Sequence, residues 1–212
     1  MLILFTLSSA AGAQAVQDDD DLQQWNDVEF NIPVNKKVTL NTVTTLRLDE
    51  NISNVESYRF SAGATFKLTK AFSVAPFMTF ISARRPLGNY RYEYRPGIKL
   101  KYRFPVKVVS VSHTSRFEHR SRPGRDSWRY RPSVTIEKNL PEKFLKDASV
   151  FVTDEPFYDS VSGRFARNRI SGGIRKSLNK KFAVEFYYLY QGDNFSSPGS
   201  IHVLGTGWKI TL

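Results

Sequence analysis

An all-β chain, folded as a transmembrane antiparallel barrel of about 10–12 strands, is predicted by three observations. Apolar and polar residues alternate with period two over long stretches, which places them on opposite faces of strands. The connections between these stretches alternate between tight turns and longer Gly, Pro, Ser, Asp and Asn-rich loops. The last residues, Gly207-Trp-Lys-Ile210-Thr-Leu212, form a strand that ends on its own apolar face.

Composition sets outer bounds on this reading. The chain has 212 residues, 14% of them aromatic, and a net charge of +11 with no cysteine. Such aromatic content excludes a disordered chain. The missing thiols exclude disulfide scaffolds, thiol nucleophiles and Cys-ligated metals. No apolar run approaches the roughly 20 residues a helix needs to cross a bilayer. The positive charge points to anionic partners without choosing among them.

Taken from the N-terminus, Met1 to Leu7 is apolar and leads into Ala11-Gly-Ala13 and Ala13-Gln-Ala15, both small-x-small cleavage patterns. Residues 1–15 therefore read as a secretory signal, although the positive n-region is absent, which leaves a short buried strand as the alternative. Residues 16–24, with Asp18 to Asp21, read as an acidic periplasmic spacer. The four carboxylates lack the Gly or Asn scaffold of a calcium loop and are not read as a metal site.

Residues 25–212 read as one barrel domain with strands near 25–34, 37–48, 57–68, 72–84, 90–104, 107–120, 127–138, 147–158, 164–177, 181–191 and 201–212. In 90–104, Tyr90, Tyr92, Tyr94, Ile98, Leu100, Tyr102 and Phe104 share one face, opposite Arg91, Glu93, Arg95, Lys99, Lys101 and Arg103. Aromatics at both ends of an apolar face are the pattern of a strand spanning a bilayer. Arg59, Arg95, Arg131 and Arg169 recur once per hairpin, and Asn35-Lys-Lys, Thr69-Lys-Ala and Asn179-Lys-Lys mark equivalent turns. Eleven strands is an odd number, so the first and last would meet in parallel unless a further strand exists. Gly207, Ile210 and Leu212 resemble the C-terminal assembly signal of outer-membrane barrels, which implies recognition by the barrel-assembly machinery.

Trp25-Asn-Asp-Val-Glu, Phe157-Tyr158, Arg167-Asn-Arg169-Ile, Phe186-Tyr-Tyr-Leu and His202-Val-Leu-Gly205 resemble the uncharacterised outer-membrane barrel family known as domain of unknown function 2490, along 24–212. The resemblance implies a β-barrel and carries no activity.

With the apolar face toward lipid, the polar face holds sixteen Lys and Arg against Glu93, Glu118, Glu137, Glu155 and Glu185. Among the cations are Arg59, Arg91, Arg95, Arg116, Arg129, Arg131, Arg167 and Arg169. Such a lumen is either a charge-paired structural plug or a narrow passage for small anionic solutes. Arg120, Arg122 and Arg125 suit the phosphates of lipopolysaccharide, an expected partner beside the other outer-membrane lipids. The enzymatic alternative rests on His113 and Ser115, which share the apolar face of one strand. His113-Thr-Ser115 and Ser127-Trp128 resemble stretches of outer-membrane phospholipase A, but Arg129 stands where that family has its orienting Asn. These two residues are therefore expected not to be catalytic. The scattered His113, His119 and His202 lack metal-ligand spacing, no cofactor is expected, and the secretory and barrel features argue against nucleic acid as a partner.

Overall fold

The computed structural model describes residues 20–84, 88–193, 196 and 198–212. Eleven strands run in chain order: β1 (Asp20–Pro33), β2 (Val38–Asp49), β3 (Asn54–Lys67), β4 (Phe72–Arg84), β5 (Tyr90–Phe104), β6 (Ser110–Arg120), β7 (Ser127–Asn139), β8 (Ala148–Asp159), β9 (Arg164–Ser177), β10 (Phe182–Asp193) and β11 (Ser200–Thr211). Each pairs antiparallel with its neighbour in sequence, and β1 closes the barrel by pairing parallel to β11. The barrel is thus mixed and not wholly antiparallel. With an odd strand number no other closure keeps every edge paired, and unpaired edges are what a barrel exists to remove.

The strand starts differ from the sequence expectation by three residues or more at β1, β3, which begins at Asn54 and not at 57, and β6. β1 begins at Asp20 and pairs with Ser200, so residues 20–24 belong to the wall and not to a spacer. The proposed signal, residues 1–15, and the start of the spacer lie outside the described residues. β6 begins at Ser110 and not at 107, so Val109 is not on its apolar face. Pro105 has no N–H for the ladder, and Val108 is left 80% exposed in the turn.

Connections 34–37, 68–71, 105–109, 140–147 and 178–181 gather at one end, the turn rim. Those between β2 and β3, β4 and β5, β6 and β7, β8 and β9, and β10 and β11 gather at the other, the loop rim. The Asn35 and Asn179 side chains each accept two backbone N–H bonds across their turns, and the Thr69 hydroxyl does the same, which is how short polar side chains close tight turns.

Alternation sorts the side chains as the pattern requires. The outer wall carries exposed Phe30, Phe60, Tyr92, Tyr94, Trp128, Ile136, Phe186, Tyr188 and Trp208. A contiguous surface this apolar is stable against lipid and a liability in water. The buried residues lie inside, including the apolar cluster of Trp25, Leu189, Ile201 and Val203, with Tyr187 packed against it. Gly205 makes room for that cluster, because a Cβ there would meet the Tyr187 ring at 2.0 Å.

Two irregularities re-aim side chains. The register shifts between Arg47 and Leu48, leaving Glu56 as the extra residue on β3 and bringing its carboxylate 3.1 Å from Arg59. A second shift between Phe157 and Tyr158 leaves Ala166 unpaired on β9 and turns Phe165 outward, where its ring lies 5.5 Å from that of Tyr158. Both are the bends a β-bulge produces.

Candidate functional site: the lumen

The inward residues of β3, β5, β7 and β9 include Arg59, Arg95, Arg131 and Arg169, so the hairpin repeat becomes a set of guanidiniums inside the barrel. Three connected chambers occupy the lumen. The largest, 640 Å³, lies on the turn side, where it adjoins one of 470 Å³ through Glu29, Ser61, Lys101 and Arg116. The third, 350 Å³, lies toward the loop rim. Arg47, Arg59, Ile81, Arg95 and Arg131 line both the 640 and the 350 Å³ chambers and therefore form a collar between them.

Along the wall from β5 to β8, cations are neutralised by acids. Glu93 accepts from Arg95 Nε at 2.7 Å and from Arg120 Nε at 2.5 Å. Asp159 accepts from Arg129 at 3.0 Å and from Arg120 at 3.4 Å, which joins the two acids through Arg120. Glu118, fully buried, is flanked by Arg116 at 2.5 Å and Arg131 at 3.4 Å, and Arg131 also reaches Glu155 at 2.7 Å. Lower down, Arg175 bridges Glu137 at 2.7 Å and Glu185. Arg167 pairs with Asp193 at 2.6 Å. Arg91 is exposed at the loop rim.

On the seam side the arrangement differs. The Arg47 guanidinium stacks 3.3 Å from the centroid of Trp25, and Arg169 lies 4.8 Å from the same ring. Trp25 donates its indole N–H to Gln23 at 2.9 Å, and Arg169 Nε donates to Gln191 at 2.7 Å. Neither arginine has an acidic partner within ion-pair distance among the described residues, and Arg47 Nε is buried without a hydrogen bond. Aromatic support recurs elsewhere. Phe157 has Arg131 at 4.3 Å and Arg169 at 4.7 Å, Phe77 has Arg116 at 4.6 Å, and Phe151 has Arg175 at 4.0 Å. A ring face attracts a cation without cancelling its charge.

The structure thus brings every predicted lumen residue to the inner side, although Arg91 stands apart at the rim. Sequence reasoning missed Trp25 and Gln191 as supports, and Glu56, Asp159 and Asp193 as ion partners. The inner face consequently holds more acid than the five Glu expected, since Asp27 and Glu29 also line the 640 Å³ chamber. Asp27 and Glu29 fall on the same alternation as Trp25, a signal the sequence did contain. Glu56 is re-aimed by a bulge and had none.

His113 and Ser115 lie on the outer wall of β6. The imidazole folds back so that Nε2 is 3.0 Å from Ser115 Oγ, closer than two residues apart on a strand suggest. Ser115 Oγ is also 3.2 Å from the Tyr130 hydroxyl. The strand partners of His113 are Tyr102 and Val134, and Ser115 faces Leu100 and Pro132. Among the described residues no carboxylate or amide bonds the far nitrogen of His113, so none of them supplies the orienting group an activated serine needs. Arg129 points into the lumen, paired with Asp159, and is not available to the pair. Among the described residues no cluster of His, Asp or Glu is arranged to hold a metal.

Gly207 faces inward between Asp27 and Glu185, Ile210 faces outward, and the Leu212 amide donates to the Asn31 carbonyl at 3.0 Å. β11 is paired on both sides and so is not an edge strand.

No curated protein is similar enough to match the chain. Among solved structures it is similar to one described as "NanC porin structure in rhombohedral crystal form", at 12% identity and a TM-score of 0.46, covering 80% of this chain and 86% of that one. The family profile described as protein of unknown function, DUF2490, matches residues 22–201, most of the barrel from near the start of β1 to the start of β11. The chain belongs to that family of unknown function, DUF2490.

Proposed function

We propose that this protein sits in the outer membrane of a Gram-negative-type bacterium and that its lumen is a narrow passage for small anionic solutes. The observation that carries the reading is the chain of three chambers, two of which meet at a collar of arginines. Closely spaced guanidiniums around a constriction favour anions over cations, because the low-dielectric wall leaves their field poorly screened. Lys99 and Lys101, which form no ion pair among the described residues, extend the cationic lining toward the turn rim.

A second reading, the charge-paired plug, is favoured by one observation: the Glu93, Arg95, Arg120, Asp159 and Arg129 network near the loop rim is dense enough to fill that end. Refolded protein in planar bilayers separates the two. The passage predicts conductance with an anion-selective reversal potential in a salt gradient. Absence of conductance returns the lumen to a plug, and cation selectivity overturns the anionic reading.

No enzymatic role is proposed, because no third group orients His113 beside Ser115 among the described residues. The expected surroundings are outer-membrane lipids and lipopolysaccharide, reached through the barrel-assembly machinery reading the Gly207 to Leu212 strand. Cell fractionation tests this. Recovery in the soluble periplasm, or unchanged membrane insertion after deletion of Leu212, counts against it.

A further inference from the structure

Arg47 and Arg169 are held in an unusual state for cations in a confined lumen. Burying a charge without a counter-charge is costly, and most of the other lumen arginines avoid it by pairing. Here the acids that could neutralise them are engaged elsewhere: Glu56 with Arg59 at 3.1 Å, Glu155 with Arg131 at 2.7 Å. Asp27, on the same strand as Trp25, accepts the Thr45 hydroxyl. The two guanidiniums instead rest against one indole, which is only 4% exposed and is fixed by its bond to Gln23. Stacking occupies the flat faces of a guanidinium and leaves its N–H edge free. Arg47 Nε is accordingly buried and unbonded, while Arg169 spends its Nε on Gln191 and keeps its terminal nitrogens.

We propose that Arg47 and Arg169, positioned by Trp25, form a binding site for one small hydrophilic oxyanion, a carboxylate or a phosphate, at the collar of the lumen. A planar or tetrahedral oxyanion offers two oxygens to two N–H forks, which a halide cannot do. The ligand is hydrophilic because the apolar side chains bordering the loop-side chamber are covered: Trp25 at 4%, Ile81 at 3%, Phe157 at 2% and Ile201 at 7% exposed. What remains open there is guanidinium, amide and carboxylate. Other charged groups facing the site include Arg59, Arg95 and Arg131 of the collar and Arg167 beside Arg169, which reinforce it, and Asp27, Glu56 and Glu155, which limit its affinity. The site deepens the passage reading by giving the solute a resting point, yet it stands whether or not the lumen conducts.

Trp25 is its own reporter. Trp128 and Trp208 lie on the outer wall, so the full chain carrying Trp128→Phe and Trp208→Phe, refolded in detergent, has one indole and that indole is at the site. Its fluorescence is titrated with inorganic phosphate and with acetate at constant ionic strength, chloride being the balancing anion. The expected result is a saturable change with at least one oxyanion, the better of the two identifying the class. A chloride titration balanced with a bulky inert anion is expected to give none. Affinity is expected to fall at least tenfold in Arg47→Gln and in Arg169→Gln, and also in Arg47→Lys, which keeps the charge and loses the fork. Folding of each variant is checked by the heat-dependent gel mobility of intact barrels, and Arg169→Gln serves if Arg47→Gln fails to refold. A linear response, an equal response to chloride, or undiminished affinity in both folded Gln variants overturns the site. Parallel bilayer recordings keep the two ideas apart: binding without conductance removes the passage and leaves the site, and anion-selective conductance without binding does the reverse.

Discussion

The two walls of the lumen hold positive charge in opposite ways. From β5 to β8, Arg95, Arg116, Arg120, Arg129 and Arg131 face Glu93, Glu118, Glu155 and Asp159 in continuous ion pairs. Around the seam, Arg47 and Arg169 face Trp25, Gln191 and an apolar cluster. An acid fixes a cation and cancels it, so the first wall contributes rigidity. An aromatic face fixes a cation and leaves its field intact, so on the passage reading proposed above it is the second wall that would attract anions.

The largest effect is expected where the first wall depends on one residue. Glu118→Ala strips the fully buried carboxylate from between Arg116 and Arg131 and is expected to cost about 3–5 kcal/mol, the penalty of an uncompensated buried charge. Urea unfolding of the refolded barrel, followed by tryptophan fluorescence, measures it. A smaller loss would show that Glu155, already paired with Arg131, also takes over Arg116.

On the second wall, Gly205→Ala forces a Cβ into the Tyr187 ring and is expected to cost about 1–3 kcal/mol, as overpacking does. Combining it with Tyr187→Ala should cost less than the two single losses added together, because the clash disappears with the ring. Additive losses would mean that the ring swings clear unaided. Trp25→Leu keeps an apolar residue in the cluster but removes the stack; the loss of its cation–π contacts is expected to cost about 0.5–2 kcal/mol. Its sharper effect should be on the bilayer reversal potential, which moves toward zero as the two arginines lose their positions. In Glu118→Ala that potential should stay anionic or become more so, and the same sign of change in both variants would erase the contrast between the walls.

The smallest effect belongs outside both. Ser115→Ala removes a half-buried hydrogen bond with His113, for which about 0.5–1.5 kcal/mol is the upper range. Phospholipid hydrolysis in the presence of Ca²⁺ should be absent from wild type and variant alike. Activity that disappears with the hydroxyl would make the outer wall, not the lumen, the working surface.

Much of this contrast was legible beforehand. Period-two alternation located all eleven strands, because a barrel wall imposes one solvent on each face along its whole length. The Arg59, Arg95, Arg131 and Arg169 recurrence pointed to one cation per hairpin on the inner face. What alternation cannot express is a departure from itself: the bulge beside Arg47 that turns Glu56 inward left no mark in the pattern. Nor does a strand pattern fix the pairing register, so nothing in it set Trp25 beside Arg47, its partner on β2. Strand rise alone lets His113 and Ser115 meet only if the imidazole folds back, and it does, since rise fixes backbone spacing and not the direction of a ring.

The parallel seam has a consequence for the itinerary of the chain. A hairpin returns the polypeptide to the side it came from, and five hairpins would bring it home. The eleventh strand leaves it on the far side, with Asp20 level with Ser200 at one rim and Asn31 level with Thr211 at the other. Two tags, one inserted ahead of Asp20 and one after Leu212, would therefore lie on opposite faces of the bilayer, and a probe that cannot cross it would find only one of them in intact cells. Closure is also the last pairing that synthesis permits, because the Thr206 hydroxyl that bonds Asn26 belongs to a residue made 180 positions later. Until then β1 has one open edge, and a truncation within β11 should yield a sheet that curls without sealing.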